Sequence, residues 1–505
     1  MSEAEIDSSV QLALLPPHAG RRPELRRAAM ALAMPALCLL VAGVSLAVVP
    51  SVPGYDPFSW IVWGSELAHL AIGPHQAFLT GGGPSWKPLP VLFTTIFGIF
   101  GRAAPSLWIV FARAVGLAGL WIAYRLGSRL GHSDRWPAGG VVAGLLSALG
   151  CVLTYRWLHF MFHATSEPMV IAATLLAVER HLAGRRLTAF LAGVALALLR
   201  PEATPLVGLY GLWLLATGST RTRAVVICGL LLIPAAWIVP PWLSSHAPLL
   251  ASRHARDFNG HLGRDPLVTV LNRARKLTVW PVIVAAGAAV LLAVRRGERM
   301  ILVLAAASLA YVAIVAAMAL DHYPGLERFM LPAAAVVAVL AGVGVTRVAE
   351  LAGGGRRAAV VAAGLVAVAV PFLMGRISYE TRQVADSQLA ERILNETVAA
   401  VRLAGGATRM LPCPDSRVAI NHAIQPSLAW ELHVPLKDVL PVTVHKDSLW
   451  RPALFLDAPE KKVAGYTPTR LEHGLRARTV VRMDGWRVSR IIRPGDASAN
   501  ACVGT

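Results

Sequence analysis

The sequence predicts a mainly α-helical, polytopic membrane protein of about 11 transmembrane helices, followed by a C-terminal extracytoplasmic α/β domain. Three observations lead to this fold class. Of the 505 residues, 55% are hydrophobic and only 15% are charged, a balance far from that of a soluble domain. Apolar runs of membrane-spanning length recur up to about residue 376. Beyond that point, a run with helical spacing over 380–403 precedes strand-like runs at 417–420, 453–456 and 479–483, which Pro, Gly and Asp separate.

The apolar runs set the predicted topology. Arginine and lysine clusters fall on alternate turns between them, which by the positive-inside rule places the N-terminus in the cytoplasm. An odd number of spans then leaves the C-terminal region outside. The predicted spans are 29–49, 105–124, 138–155, 166–183, 187–199, 203–217, 224–243, 277–294, 300–320, 328–346 and 358–376.

The chain divides into three predicted regions. Residues 1–27 form a cytoplasmic tail, and residues 28–376 form the membrane domain. Two long outer loops, 51–104 and 244–276, suggest that function faces outward, since the inner turns are short. Residues 377–505 form the soluble extracytoplasmic α/β domain.

Charge and cysteine content limit the partners and the compartment. The net charge of +19 comes from clusters between apolar segments and not from one polar stripe, so we predict a multi-pass plasma-membrane protein in contact with lipids and no nucleic-acid partner. Cys413 and Cys502 fall in the outer region, where an oxidising exterior allows a disulfide. The sequence leaves their pairing open.

The first outer loop contains the helix that predicts a site. Asp56 followed by Pro57 is a helix-start signal, so one interpretation is that Asp56 only caps the helix. The other is a carbohydrate site, in which a carboxylate takes a proton from a hydroxyl and an indole covers the sugar's C–H face. Four residues fall within an arc of about 80° on this helix: Asp56, Ser59, Trp63 and Glu66.

Further outer residues are candidates for substrate binding, each with a structural alternative. Lys87 beside Trp86 would meet a lipid phosphate or anchor the chain at the interface. Glu167 follows His159 and His163, a pattern that favours an acceptor-binding or structural role over a metal site.

Two more candidates lie at predicted span ends and in the second loop. Arg200 and Glu202 flank a proline between two short spans, where ionisable groups pair with each other or with a ligand. Arg256 belongs to the basic loop 244–276 and would neutralise a phosphate or attract anionic lipid headgroups.

A dense polar turn precedes the tenth predicted span. It contains His322, Glu327 and Arg328. A charged pair at the mouth of a span needs water or a ligand. We therefore include all three residues among the substrate-binding candidates, with a plain helix-boundary cluster as the alternative.

The chain also resembles the GT-C superfamily of integral-membrane glycosyltransferases over roughly residues 28–376. The similarity is closest to bacterial arabinofuranosyl- and mannosyltransferase-like members, and it lies in the order and common outward position of several motifs. These are Asp56 at a helix start, Trp86–Pro90, Tyr124–Gly131, Thr165–Pro168, Leu199–Glu202 and Glu327–Pro332.

The resemblance implies a transferase that moves a sugar from a polyprenyl-phosphate donor to a cell-envelope glycan, lipid or protein acceptor on the outer face. The family's general base corresponds by motif position to Asp56, and relatives with a basic residue before an aromatic and Leu-Pro point to Arg328 for phosphate contact. Many relatives carry two adjacent acids where Pro57 follows Asp56 here. No cofactor is required by this chemistry, and the sequence leaves open a divalent cation and Glu66 as the second acid.

Two other function classes compete with this one. A transporter or lipid flippase predicts polar residues within several spans and internal symmetry, whereas the polar groups here crowd the predicted outer ends. A non-catalytic envelope-assembly protein would tolerate Asp56→Asn without loss of function.

Overall fold

The structure is a computed structural model that describes residues 21–69, 85–257, 262–411, 416–420, 422–441, 453–457, 476–483 and 486–492. Within these ranges the chain forms eighteen α-helices and a five-stranded sheet. Cys413 and Cys502, whose pairing the sequence left open, lie outside the described residues.

The helices up to residue 349 make up the apolar body. Their ends follow local sequence signals: Ser219 caps α10 by accepting from the Thr222 amide, and Asp265 caps α12 by accepting from Leu267 and Val268. The helices are α1 Arg21–Val48, α2 Tyr55–Ala68, α3 Pro88–Gly98, α4 Ala104–Leu130, α5 Pro137–Val152, α6 Trp157–Phe162, α7 Glu167–Leu182, α8 Arg186–Leu199, α9 Thr204–Thr217, α10 Thr220–Ser245, α11 Leu250–Asp257, α12 Pro266–Leu277, α13 Trp280–Arg296, α14 Arg299–Leu320 and α15 Leu331–Ala349.

Each predicted span lies on a helix, but the helices differ in length. Among the described residues, five helices are long and apolar enough to cross a membrane, and six if α12 and α13, bent by 96°, count as one span. The shorter apolar helices α3, α5 and α8 have 11–16 residues and reach about 16–24 Å, less than the roughly 30 Å hydrocarbon core. The chain is a polytopic membrane protein, and the number of eleven spans stays a prediction.

Helix α15 lies at the centre of the apolar body and is buried along nearly its whole length. Small residues allow this close packing. A Cβ added at Gly344 would lie 1.8 Å from the carbonyl oxygen of Ala285 on α13, and one at Gly342 would lie 2.3 Å from that of Ala143 on α5. Close backbone approach at small residues is how helices gain packing energy in a membrane.

The boundary predicted at residue 376 falls inside one continuous helix, α16, which runs over Gly355–Leu403. The sequence predicted a span ending at 376 and a separate helix from 380. No glycine or proline lies between Gly375 and Gly405, so nothing in the sequence interrupts the helix there. It ends where Gly405 and Gly406 both adopt positive φ.

The C-terminal strands predicted from the sequence are present, and two further strands complete the sheet. Strands β2, β1 and β3 are parallel, and β5 pairs antiparallel with β3 and β4, in the order β2-β1-β3-β5-β4. Helix α18 packs against α2, so this region rests on the first outer helix. The elements are α17 Gly406–Met410, β1 Arg417–Ile420, α18 Gln425–Leu432, β2 Val439–Pro441, β3 Ala453–Asp457, β4 Arg476–Met483 and β5 Trp486–Ile492.

Candidate active site

A cavity of about 1440 Å³ opens where the start of α2, the head of α15 and the distal half of α16 meet. Of the residues that the sequence singled out for a site, it gathers five in its lining: Asp56, Lys87, Arg200, Arg256 and Arg328. Aromatic side chains complete the wall, among them Trp86, Tyr323 and Phe329. Aromatic faces beside charged groups suit a sugar with a phosphate attached.

Asp56 lies in the first turn of α2, and it is not the helix cap. The cap is Gly54, whose carbonyl accepts from the Phe58 amide at 3.0 Å. The Asp56 carboxylate instead accepts from the amide of Ser85 and from its hydroxyl, both at 3.2 Å. Its side chain keeps 15% of its surface exposed. The carboxylate is therefore oriented by Ser85 and remains accessible from the cavity.

Arg328 reaches Asp56 from a different part of the chain. It belongs to the 3₁₀ turn Glu327–Met330 just before α15, and its guanidinium lies 3.5 Å from the Asp56 carboxylate. The same guanidinium lies 3.9 Å from Glu167 at the start of α7. Arg328 thus links the carboxylate that faces the cavity to a second, fully buried carboxylate.

Three cations surround Glu167, and we call Lys87, Arg200 and Arg328 the basic cluster. Arg200 donates to Glu167 at 2.5 Å, and the Lys87 ammonium lies 4.0 Å from the same oxygen. Burial, together with the neighbouring Arg200 charge, lowers the pKa of Lys87 to about 7. Two carboxylates, those of Asp56 and Glu167, lie within 4.0 Å of these cations, and the buried Glu202 carboxylate is a further negative neighbour of Arg200.

The basic cluster also has unused hydrogen-bond donors. The Nε atoms of Arg200 and Arg328 are buried and have no hydrogen-bond partner among the described residues. Both guanidinium groups pack on the Phe329 ring, at 4.8 and 5.8 Å from its centre. A buried donor without an acceptor is costly, so neither arginine is fully satisfied by its protein partners.

Two histidines form the wall of the cavity next to α6. The rings of His159 and His163 lie 4.5 Å apart, and Arg156 donates towards His159 at 2.9 Å. Burial lowers the pKa of both histidines, and each one is lowered further by a positive neighbour. Both are therefore neutral at neutral pH. Within the described ranges, no three His, Cys, Asp or Glu side chains come together as a metal site would require.

Two predicted site residues of α2 lie away from the cavity lining. Glu66 shares the helical face of Asp56 but lies next to Lys437 and Asp438, and burial raises its pKa to about 7. Trp63 is buried, with its ring 5.8 Å from that of Trp86, which does line the cavity. The structure thus does not bring Glu66 beside Asp56 as a second acid.

Three other predicted residues also lie outside the lining. Glu202 is fully buried and accepts from the Tyr323 hydroxyl at 3.0 Å, so it supports a residue of the wall. His322 is exposed with φ of 60°, and Glu327 is half-buried. Arg256, which does line the cavity, pairs with the exposed Asp321 at 3.3 Å.

Sequence reasoning missed Ser85 and Tyr323, although both lie within stretches that it singled out. Ser85 directly precedes Trp86, and Tyr323 follows His322. Only the long-range contacts, between Ser85 and Asp56 and between Tyr323 and Glu202, give these residues a role.

Comparisons with known proteins give a likeness of architecture. No protein-family model matches the chain, and no curated protein matches it. Among solved structures, the chain is similar to ArnT from Cupriavidus metallidurans bound to undecaprenyl phosphate, at 15% identity and a TM-score of 0.49. The match covers 91% of this chain and 98% of that chain. At this identity and score it assigns a role to no residue.

Proposed function

We propose that the protein is a membrane glycosyltransferase of the GT-C type that moves a sugar from a polyprenyl-phosphate donor to a hydroxyl of a cell-envelope glycan, lipid or protein acceptor. The observation that supports this most directly is the cavity itself. In it, the accessible carboxylate of Asp56 lies beside buried cations whose donors are not all used. A base next to an anion-binding cluster is what transfer from a phosphate-linked sugar requires.

In the proposed reaction Asp56 takes the proton of the acceptor hydroxyl. The hydroxyl oxygen attacks the anomeric carbon, and the bond between that carbon and the donor's phosphate oxygen breaks with its electron pair on the phosphate. The basic cluster stabilises this phosphate, so the leaving group needs no proton. Ser85 and Arg328 hold the Asp56 carboxylate in place while the acceptor binds.

The position of the cavity supports transfer on the outer face. Arg328 lies just before α15, whereas Arg347 and the pair Arg356 and Arg357 lie at or beyond its C-terminal end. By the positive-inside rule, these arginines place the C-terminal end of α15 at the cytoplasmic face. The cavity and the C-terminal sheet then lie outside, with the N-terminus in the cytoplasm.

The test is a transfer assay with the full-length protein, purified in detergent and given radiolabelled polyprenyl-phosphate sugars. We expect Asp56→Asn to lower the transfer rate by about 10²- to 10⁴-fold, with binding of polyprenyl phosphate retained. Asp134→Asn, a change at an exposed turn between α4 and α5, is the matched control. A parallel arm with a chelator shows whether a divalent cation takes part.

Two results would contradict the proposal. Full transfer by Asp56→Asn would mean that Asp56 is not the general base. Binding and translocation of polyprenyl phosphate, with no transfer from any donor, would instead support a flippase.

A further inference from the structure

Helix α6 connects two parts of the cavity wall. It has only six residues, Trp157–Phe162, and Arg156 before it adopts a left-handed conformation with φ of 64°. So short a helix has few internal hydrogen bonds, and its first amides need acceptors from elsewhere.

Glu380 of α16 supplies those acceptors. Its two carboxylate oxygens accept from the amides of Arg156 and Leu158, at 2.7 and 2.8 Å, and its side chain is buried. A carboxylate at the start of a helix is favoured both as a hydrogen-bond acceptor and by the helix dipole. Glu380 therefore fixes the start of α6 to α16.

Arg376, one turn earlier on α16, holds the adjoining chain. Its guanidinium donates to the carbonyls of Leu153, Lys276 and Leu277, at 3.1, 2.7 and 3.2 Å. The connection between α5 and α6 is thus held on α16 at two points, and α6 cannot shift without breaking one of them.

The other end of α6 holds the segment that leads to Asp56. The Gly54 amide donates to the His163 carbonyl at 2.9 Å, and a Cβ at Gly54 would lie 3.3 Å from the His163 Cβ. Arg113 of α4 contacts both the segment before Asp56 and helix α6. It donates to the Ser51 hydroxyl at 2.6 Å and approaches the Met161 carbonyl at 3.4 Å.

We propose that Glu380 is a positioning residue for the reaction: by capping α6 it fixes the turn that holds Gly54, and with it the Asp56 carboxylate relative to Arg328. This inference rests on the proposed function and adds a residue that does not touch substrate. A small misplacement of a reacting group costs up to about 10²-fold in rate. Loss of the cap should therefore lower kcat while the basic cluster, and so donor affinity, stays intact.

The experiment uses full-length protein with Glu380→Ala, which removes both acceptors, and Glu380→Gln, which keeps one carbonyl oxygen. Glu391→Gln, the same change about three turns further along α16 at a half-buried site, is the control. Amide hydrogen exchange is followed in peptides covering 50–58 and 154–164. Transfer kinetics give kcat and the donor KM separately.

We expect faster exchange in both peptides for Glu380→Ala, a smaller increase for Glu380→Gln and none for Glu391→Gln. The kcat should fall about 10- to 100-fold for Glu380→Ala and less for Glu380→Gln, with the donor KM changed by less than about twofold. A general loss of folding would not give this graded difference in exchange and kcat between Glu380→Ala and Glu380→Gln.

Three outcomes overturn the inference: unchanged exchange at 50–58, faster exchange throughout the protein, or unchanged kcat despite faster exchange at 50–58. The exchange arm needs no activity. If wild type transfers no sugar, the proposed function fails, and the exchange data still decide whether Glu380 holds the segment before Asp56.

Discussion

The two ends of α15 carry clusters of the same residue types in different surroundings. At its head lies the basic cluster, with Asp56 and Glu167. At its C-terminal end is a second group of charged residues, which we call the α15 C-terminal network. The network has four ion-pair distances between 3.5 and 3.8 Å, formed by Arg296, Arg347, Glu298 and Glu350.

The difference between the two groups lies in access to the cavity. Two arginines face two glutamates in the C-terminal network, and none of the four lines the cavity. At the head of α15, all three cations of the basic cluster and the Asp56 carboxylate line the cavity. Unpaired buried atoms occur in both groups, at Arg347 and Glu350 as well as at Arg200 and Arg328. Access to a cavity, and not burial alone, distinguishes a binding cluster from a structural one.

The largest effect on donor affinity should come from Arg328→Gln. Loss of this charge removes donors to the phosphate, so affinity for the polyprenyl-phosphate donor should fall about 10- to 100-fold. Thermal stability should change little, because Arg328 is one-third exposed and its ion pairs are long. Donor binding by titration and thermal unfolding of the same samples measure the two effects. Unchanged affinity would mean that the basic cluster is structural, like the α15 C-terminal network.

A smaller, pH-dependent effect should come from Lys87. Since its pKa is lowered to about 7, its positive charge is lost as pH rises through this value. Donor affinity should fall about 3- to 10-fold between pH 6 and 8.5 in wild type. The variant Lys87→Met should lack this fall.

Stability should change in the opposite direction over part of that range. The pKa of Lys87 in the folded protein lies below its unfolded value, so the unfolded chain binds more protons between about pH 7 and 10. The Lys87 contribution to the free energy of unfolding therefore increases with pH in this window.

A donor affinity that rises with pH in wild type, relative to Lys87→Met, would contradict the assignment of Lys87 to phosphate binding.

The smallest functional effect should come from Glu350→Gln in the C-terminal network. Glu350 is buried against Arg296 and Arg347, so its neutralisation should lower the free energy of unfolding by about 1–3 kcal/mol. Donor affinity and kcat should match wild type within about twofold. Thermal unfolding and the transfer assay check this together, and a loss of donor affinity without a loss of stability would break the contrast between the two ends of α15.

The sequence predicted local features well because these depend on neighbouring residues. Hydropathy located the helical runs, and the strands at 417–420, 453–456 and 479–483 followed from their composition. The Asp56 helix is present, with Asp56 in its first turn.

Features that depend on distant parts of the chain were beyond sequence reasoning. The helical arc of α2 placed Glu66 with Asp56, but it carried no information that residues 437 and 438 cover that end of the helix. Likewise, the contact between Asp56 and Arg328 joins positions 272 residues apart. The capping of α6 by Glu380 spans more than 220 positions and leaves no local pattern.

The uninterrupted length of α16 has a consequence for the integrity of the cavity. At 49 residues it extends about 74 Å, and its distal half supplies Tyr379, Gln383 and Leu394 to the cavity wall. A protein truncated at residue 376 would thus retain its apolar body and lose one side of the cavity that we propose as the active site. The same helix contributes to the apolar body and to the cavity wall, so neither part of the chain forms the cavity without the other.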